Sequence, residues 1–184
     1  SVEALARRSA DRRAAGDLTG ALASARRAFA LAPDHPAAAG SLALACHALG
    51  LADAAADLFA HIFQRFPQEP PAAYNLAVAR MGQHRVSEAA DLYRRALELK
   101  PGYPEAANGL SNALRVLGCW DEALARARQA VELRPDFPDA LGHLAILMRS
   151  VCAWDGLTEL DERLGALTRR QLERGETSAV QPML

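Results

Sequence analysis

The sequence predicts an all-α fold: helix–turn–helix units stacked into a right-handed superhelix, closed by a long C-terminal helix. Two observations carry this reading. The text repeats with a fixed period of 34 residues, and each period holds two stretches of apolar residues at helical spacing on either side of a turn signal. A third observation, the altered text after residue 150, marks where the repetition ends.

The period is set by Pro33, Pro67, Pro101 and Pro135, each 34 residues from the next. Around them the text recurs in register as ALASARRAFALAPDHP, AAADLFAHIFQRFPQEP, AADLYRRALELKPGYP and ALARARQAVELRPDFP. Ala21, Ala55, Ala89 and Ala123 keep the same interval. So do Gly16, Gly50 and Gly118, with His84 in the glycine's place in the third unit. Full units therefore run 2–35, 36–69, 70–103 and 104–137, a partial fifth begins at Pro138, and the array extends over 1–153.

Residues 104–137 show how one unit folds. Pro104 suits the first turn of a helix, where its missing N–H is no loss, and Ala107, Leu110, Ala113 and Leu114 follow as an apolar stripe. Gly118 suits a left-handed helix end, and Asp121 and Glu122 place negative charge at the start of the second helix. Ala123, Ala127 and Ala130 let two helices approach closely, and Pro135 stops the second. Neither helix buries its stripe alone, so units must stack. The first unit departs from this, with Arg8 and Arg12 where later units carry Leu42 and Cys46 or Leu110 and Leu114; it reads as a solvated cap or as the neighbour of a preceding unit.

Thirty-four residues in this pattern resemble the tetratricopeptide repeat. The resemblance implies a concave face lined by the first helix of each unit, and a role in binding proteins or peptides. The inward positions are Ser41, Leu44, Tyr74, Asn75, Val78, Asn108, Asn112, Arg115, His143 and Arg149. Asparagine amides offer a donor and an acceptor each, which suits the backbone of an extended peptide. The carboxylate clamp of some family members is not matched, since the only lysine, Lys100, lies near the end of a second helix.

Composition narrows the remaining classes. With 184 residues and 51% apolar residues the chain can bury a core, and a net charge of -1 gives no pull toward nucleic acid or membrane. The arginine pairs Arg7-Arg8, Arg12-Arg13 and Arg26-Arg27 interleave with acids and read as solvated helix faces. No apolar run approaches a membrane span and the first residues lack the apolar core of a signal peptide, so a cytoplasmic location is expected. Cys46, Cys119 and Cys152 lack disulfide or zinc spacing, and Cys46 reads as core. His35, His47, His61, His84 and His143 are scattered, so no metal site is expected. No phosphate-cradling motif occurs, and neither a cofactor nor a catalytic residue is assigned.

In the fifth unit Trp154 and Asp155 fall 34 residues after Trp120 and Asp121, so they are expected to share their structural positions, while Cys152 takes the glycine position and implies a turn of different backbone shape. Leu157, Leu160, Leu164 and Leu167 continue at helical spacing, predicting a long capping helix over 154–175 with Gly175 as its C-cap. The stretch CAWDGLTELDERLGALTRRQLERGETSAVQPML resembles the junction between repeats and catalytic domain in bacterial O-linked N-acetylglucosamine transferase and SPINDLY-type proteins. That resemblance implies that 176–184 begin a linker toward a catalytic domain lying beyond Leu184, that the parent enzyme uses a UDP-sugar, and that this chain, with Gln181 where some relatives carry a histidine, is itself inactive. The expected function is a protein–protein interaction module presenting substrates to such a glycosyltransferase. The alternative is a stand-alone tetratricopeptide scaffold assembling a complex with no enzymatic domain. A homo-oligomer through exposed repeat ends is a further expectation.

Overall fold

Two prolines three residues apart end one helix and begin the next. The computed structural model describes residues 1–173 and places ten helices there: α1 (Val2–Ala14), α2 (Leu18–Leu31), α3 (Pro36–Ala48), α4 (Ala52–Arg65), α5 (Pro70–Gly82), α6 (Val86–Leu99), α7 (Pro104–Val116), α8 (Trp120–Leu133), α9 (Pro138–Ser150) and α10 (Leu157–Glu173). No strand occurs among the described residues. Helices α2, α4, α6 and α8 stop just short of Pro33, Pro67, Pro101 and Pro135, since a proline disfavours helical backbone in the residue before it. Pro36, Pro70, Pro104 and Pro138 then open the next helix at the position where a missing N–H is harmless.

The sequence reads as one array to residue 153, whereas the chain gathers into two compact units, Ser1–Leu99 and the residues from Lys100 onward. The first holds the pairs α1–α2, α3–α4 and α5–α6; the second holds α7–α8 and α9–α10. Within each pair the contact is built from alanine. Ala21, Ala55, Ala89 and Ala123 are fully buried, and so is the small position of the first helix, held by Ser9, Ala43, Ala77 and Ser111 in successive units. Where that position is serine, its hydroxyl donates to the carbonyl of the facing alanine, Ser9 to Ala21 at 2.9 Å and Ser111 to Ala123 at 2.7 Å. A buried hydroxyl needs such a partner, and a helix carbonyl with a spare lone pair supplies it. Larger side chains then fill the space between pairs: Leu42, Cys46, Phe59 and Leu76 in the first unit, Leu110, Leu114, Leu141 and Leu147 in the second. Burial raises the Cys46 thiol pKa, as befits a residue that packs rather than reacts. Arg8 and Arg12 of α1 are exposed.

Every first helix ends in the same left-handed turn. Gly16, Gly50 and Gly118 adopt φ of 80°, 73° and 79°, and His84 and Cys152 adopt 59° and 57° at the equivalent position. In each turn the N–H of this residue bonds the carbonyl three residues back, and the next N–H bonds the carbonyl five back, as in Gly118 to Arg115 at 3.1 Å and Cys119 to Leu114 at 2.9 Å. The expected change of backbone shape at Cys152 is therefore corrected: Cys152 to Arg149 at 3.3 Å and Ala153 to Met148 at 2.8 Å rebuild the same turn. The departure comes later. Trp120 and Asp121 open α8, but Trp154 and Asp155 stand in the loop before α10, which begins only at Leu157 after a second left-handed residue, Gly156 at φ 79°. The two tryptophans do not share a structural position, and the capping helix starts at 157 rather than 154. At 17 residues α10 exceeds the 14 of α8, as expected. Gly175 and the linker 176–184 lie outside the described residues.

The left-handed turns predict a measurable asymmetry. An L-residue with a side chain pays roughly 1–2 kcal/mol in this conformation, partly offset by the greater unfolded freedom of glycine. His84→Gly is expected to stabilise the protein by about 0.5–1 kcal/mol in urea unfolding, whereas Gly118→Ala should destabilise it by about 1 kcal/mol. Equal midpoints for both variants would refute the assignment of strain.

Candidate functional site

In the second unit, α7 presents Asn108, Asn112 and Arg115 at the four- and three-residue spacing that places side chains on one helix face. All three are half-buried, while Ala106, Ala107, Leu110, Ala113 and Leu114 of the same helix point into the core. The Arg115 guanidinium donates to Asn112 Oδ1 at 2.9 Å, so the longest side chain of the face is held in place by its neighbour. Arg115 has no carboxylate partner among the described residues. The side-chain carbonyl of Asn108 is buried and makes no hydrogen bond among the described residues.

His143 reaches this face from α9, which packs on α7. Its Nε2 lies 3.2 Å from Ser111 Oγ, whose single proton is committed to the Ala123 carbonyl at 2.7 Å. A carbonyl cannot donate, so the ring must donate Nε2–H to the serine oxygen, leaving Nδ1 as an acceptor. Burial, and behind it the Arg115 guanidinium, hold the imidazole pKa down at about 4, well below the usual histidine value. The serine–histidine pair is not a nucleophile–base pair: Ser111 is fully buried and its proton points into the helix pair. The contact ties α9 to the α7–α8 pair.

Arg149 is engaged differently. It is exposed and grips both carboxylate oxygens of Asp161 on α10, at 2.7 and 2.6 Å, so this cation locks α9 to the capping helix.

In the first unit the assigned residues fall on α3 and α5. Ser41 is half-buried and donates to its own helix, to the Ala38 carbonyl at 2.9 Å. With Leu44, and with Ala6 and Ala10 of α1, it lines a cavity of about 250 Å³. Val78 and Tyr74 are half-buried on α5, the Tyr74 ring lying 5.8 Å from that of buried Tyr93 on α6. Burial drives the Tyr93 phenol pKa upward, with Tyr74 adding to it. Asn75 stands at a second cavity, of about 340 Å³, between α3, the end of α4 and the start of α5. The sequence reading missed both cavities; a signal was available in Gly40, a glycine inside a helix, which borders each of them.

Other candidate chemistry is spread out. Cys119 and Cys152 are exposed at separate turns and Cys46 is buried. No group of three histidine, cysteine or acidic residues among the described residues is placed to hold a metal ion. No described helix is long and apolar enough to cross a membrane.

Two family models described as tetratricopeptide repeat match the chain, one over residues 12–81 and the other over 62–104 and 74–138. No curated protein matches it. Among solved structures, a thermophilic TPR protein of Thermus thermophilus is similar at 22% identity with a TM-score of 0.82, covering 94% of each chain. PilF of Pseudomonas aeruginosa is similar at 14% identity with a TM-score of 0.81, over 95% of this chain and 84% of that one. MamA is similar at 18% identity with a TM-score of 0.73, over 90% of this chain and 96% of that one. These likenesses speak for the fold. The comparisons bear out the resemblance to tetratricopeptide repeats, and the tryptophan turn at Trp154 runs differently from its counterpart at Trp120.

Proposed function

We propose that this chain, which belongs to the tetratricopeptide-repeat family, is a protein–protein interaction scaffold that holds an extended segment of a partner against the solvent-facing side of α7. The observation that carries the reading is the α7 face, where Asn108, Asn112 and Arg115 line up half-buried with Arg115 already positioned by Asn112. Amides at this spacing suit the alternating donors and acceptors of a peptide backbone, and an arginine without a carboxylate partner among the described residues suits a carbonyl or acidic group on the ligand. Pre-positioned side chains lose less freedom on binding, which favours affinity. On this reading the repeats themselves are the functional part, and partner assembly needs no catalytic group in the chain. The finer reading, a substrate-presenting region of a glycosyltransferase, has less support: its distinguishing residues from 174 onward lie outside the described residues.

The test is capture of peptides from a phage-displayed random decapeptide library. Replacing Asn108 and Asn112 together by alanine is expected to weaken the selected peptides by about tenfold or more, a loss of hot-spot size. The melting temperature should stay nearly unchanged, because the Asn108 carbonyl makes no hydrogen bond among the described residues and the bond from Arg115 to Asn112 joins two half-buried side chains of one helix face. Undiminished affinity in the double variant would place the ligand on another surface.

A further inference from the structure

The geometry points to a side-chain-binding pocket at Gly40 that accepts a bulky apolar residue of a partner peptide with a lysine or arginine beside it. The inference rests on the peptide-binding reading above and names a specificity that this reading leaves open.

Gly40 sits inside α3, where glycine weakens a helix relative to alanine. Packing does not demand it. A Cβ built at this position meets no atom within 4 Å, and its backbone is ordinary helix, without the left-handed φ of the turn glycines. What the missing side chain does is leave room: Gly40 borders the cavity of about 340 Å³ whose other walls include Ile62, Phe66 and Pro71. Pockets for small molecules begin near ~300 Å³, so this one is sized for a single large side chain with a short length of backbone. Ile62 and Phe66 are half-buried and offer the apolar wall that such a side chain needs.

Two polar groups at the same cavity set the rest of the ligand. Asn75 brings an amide able to pair with the peptide backbone next to the anchored residue. Glu69 brings an exposed carboxylate that forms no ion pair or side-chain hydrogen bond among the described residues, whereas nearby Asp34 is already paired with Arg65 at 3.4 Å. The complementary neighbour for an unpaired carboxylate at the mouth of an apolar pocket is a cation, which fixes register more than it adds affinity.

The decapeptide library tests this directly, selected in parallel on the native protein, Gly40→Leu and Glu69→Gln. The native protein is expected to enrich peptides carrying leucine, methionine or phenylalanine next to lysine or arginine. Gly40→Leu should melt at or above the native temperature, and it should bind those peptides about tenfold more weakly or worse, with no apolar preference left. Gly40→Met repeats the test with a more flexible filler. Glu69→Gln should keep the apolar residue and lose the basic one. If both Gly40 variants fold and select the same motif at native affinity, the pocket is overturned while peptide binding stands. Retention of the basic preference by Glu69→Gln overturns the assignment of its partner. Failure of the native protein to enrich any peptide overturns both readings.

Discussion

Leu110→Ala is expected to cost about 3 kcal/mol of unfolding free energy, within the roughly 2–5 kcal/mol seen when a large aliphatic side chain is removed from a tight core. Leu110 is 0% exposed in the middle of α7 and lies among the largest fully buried side chains of the protein. Ala107 and Ala113, its neighbours three residues either way on the same helix, are themselves small and already buried, so neither can swing in to fill the space. The repeat supplies an internal control. Leu42, Leu76 and Leu144 occupy the same place in their units and are buried, but in the first unit that place holds Arg8, which is exposed. Arg8→Ala should therefore change stability by less than about 0.5 kcal/mol. Urea unfolding of both variants checks the pair, and a Leu110→Ala cost near that of Arg8→Ala would show that the layer around Leu110 adds little to stability. Because repeats stabilise one another through nearest neighbours, the loss should also broaden the transition.

The same contrast explains what could be read ahead of the structure. The 34-residue interval fixes which residues are equivalent, and the chemistry of proline and glycine fixes where helices stop and start, so the helix pairs and their order follow from the text. Arg8 and Arg12 announce two solvated positions because a charged side chain cannot replace Leu110 or Leu114 in an apolar layer. Counting residues fails where the backbone adds some. Cys152 keeps the left-handed turn although it is not glycine, and the shift comes after it, through Gly156, which delays α10 to Leu157. A register argument assigns Trp154 to the place of Trp120 and has no means of seeing that delay. Side-chain partners are hidden for a similar reason. Arg149 and Arg115 look alike as helix residues of one repeat pattern, but only the distance to Asp161 on another helix makes the first a structural ion pair, while the second has no carboxylate among the described residues. Ser111 reads as one more small residue until the carbonyl of Ala123 and the ring of His143 are found on either side of its hydroxyl.

That arrangement makes His143 the source of a pH dependence with a definite sign. The folded pKa of about 4 lies below the ordinary value of 6.5, because burial and Arg115 both oppose a charged ring. Above that ordinary value the ring is neutral in the folded and unfolded chains alike and pH has no effect through it. As pH falls from there toward 4 the unfolded chain takes up a proton that the folded chain refuses, so stability declines, at a limit of about 1.4 kcal/mol per pH unit. Below the folded pKa both states are protonated and the decline stops. Partial solvent contact of the ring reduces the effect, and a total loss of about 2 kcal/mol across the window is expected. His143→Gln keeps a side-chain donor for Ser111 and removes the titration. Carboxylates and the other histidines titrate in both proteins, so the informative quantity is the difference. Urea unfolding at pH of about 7.5 and about 4.5 should show the native protein losing about 2 kcal/mol more than His143→Gln. Parallel losses would mean that Nδ1 accepts its proton in the folded chain as readily as in the unfolded one, and that burial and Arg115 do not hold the ring neutral.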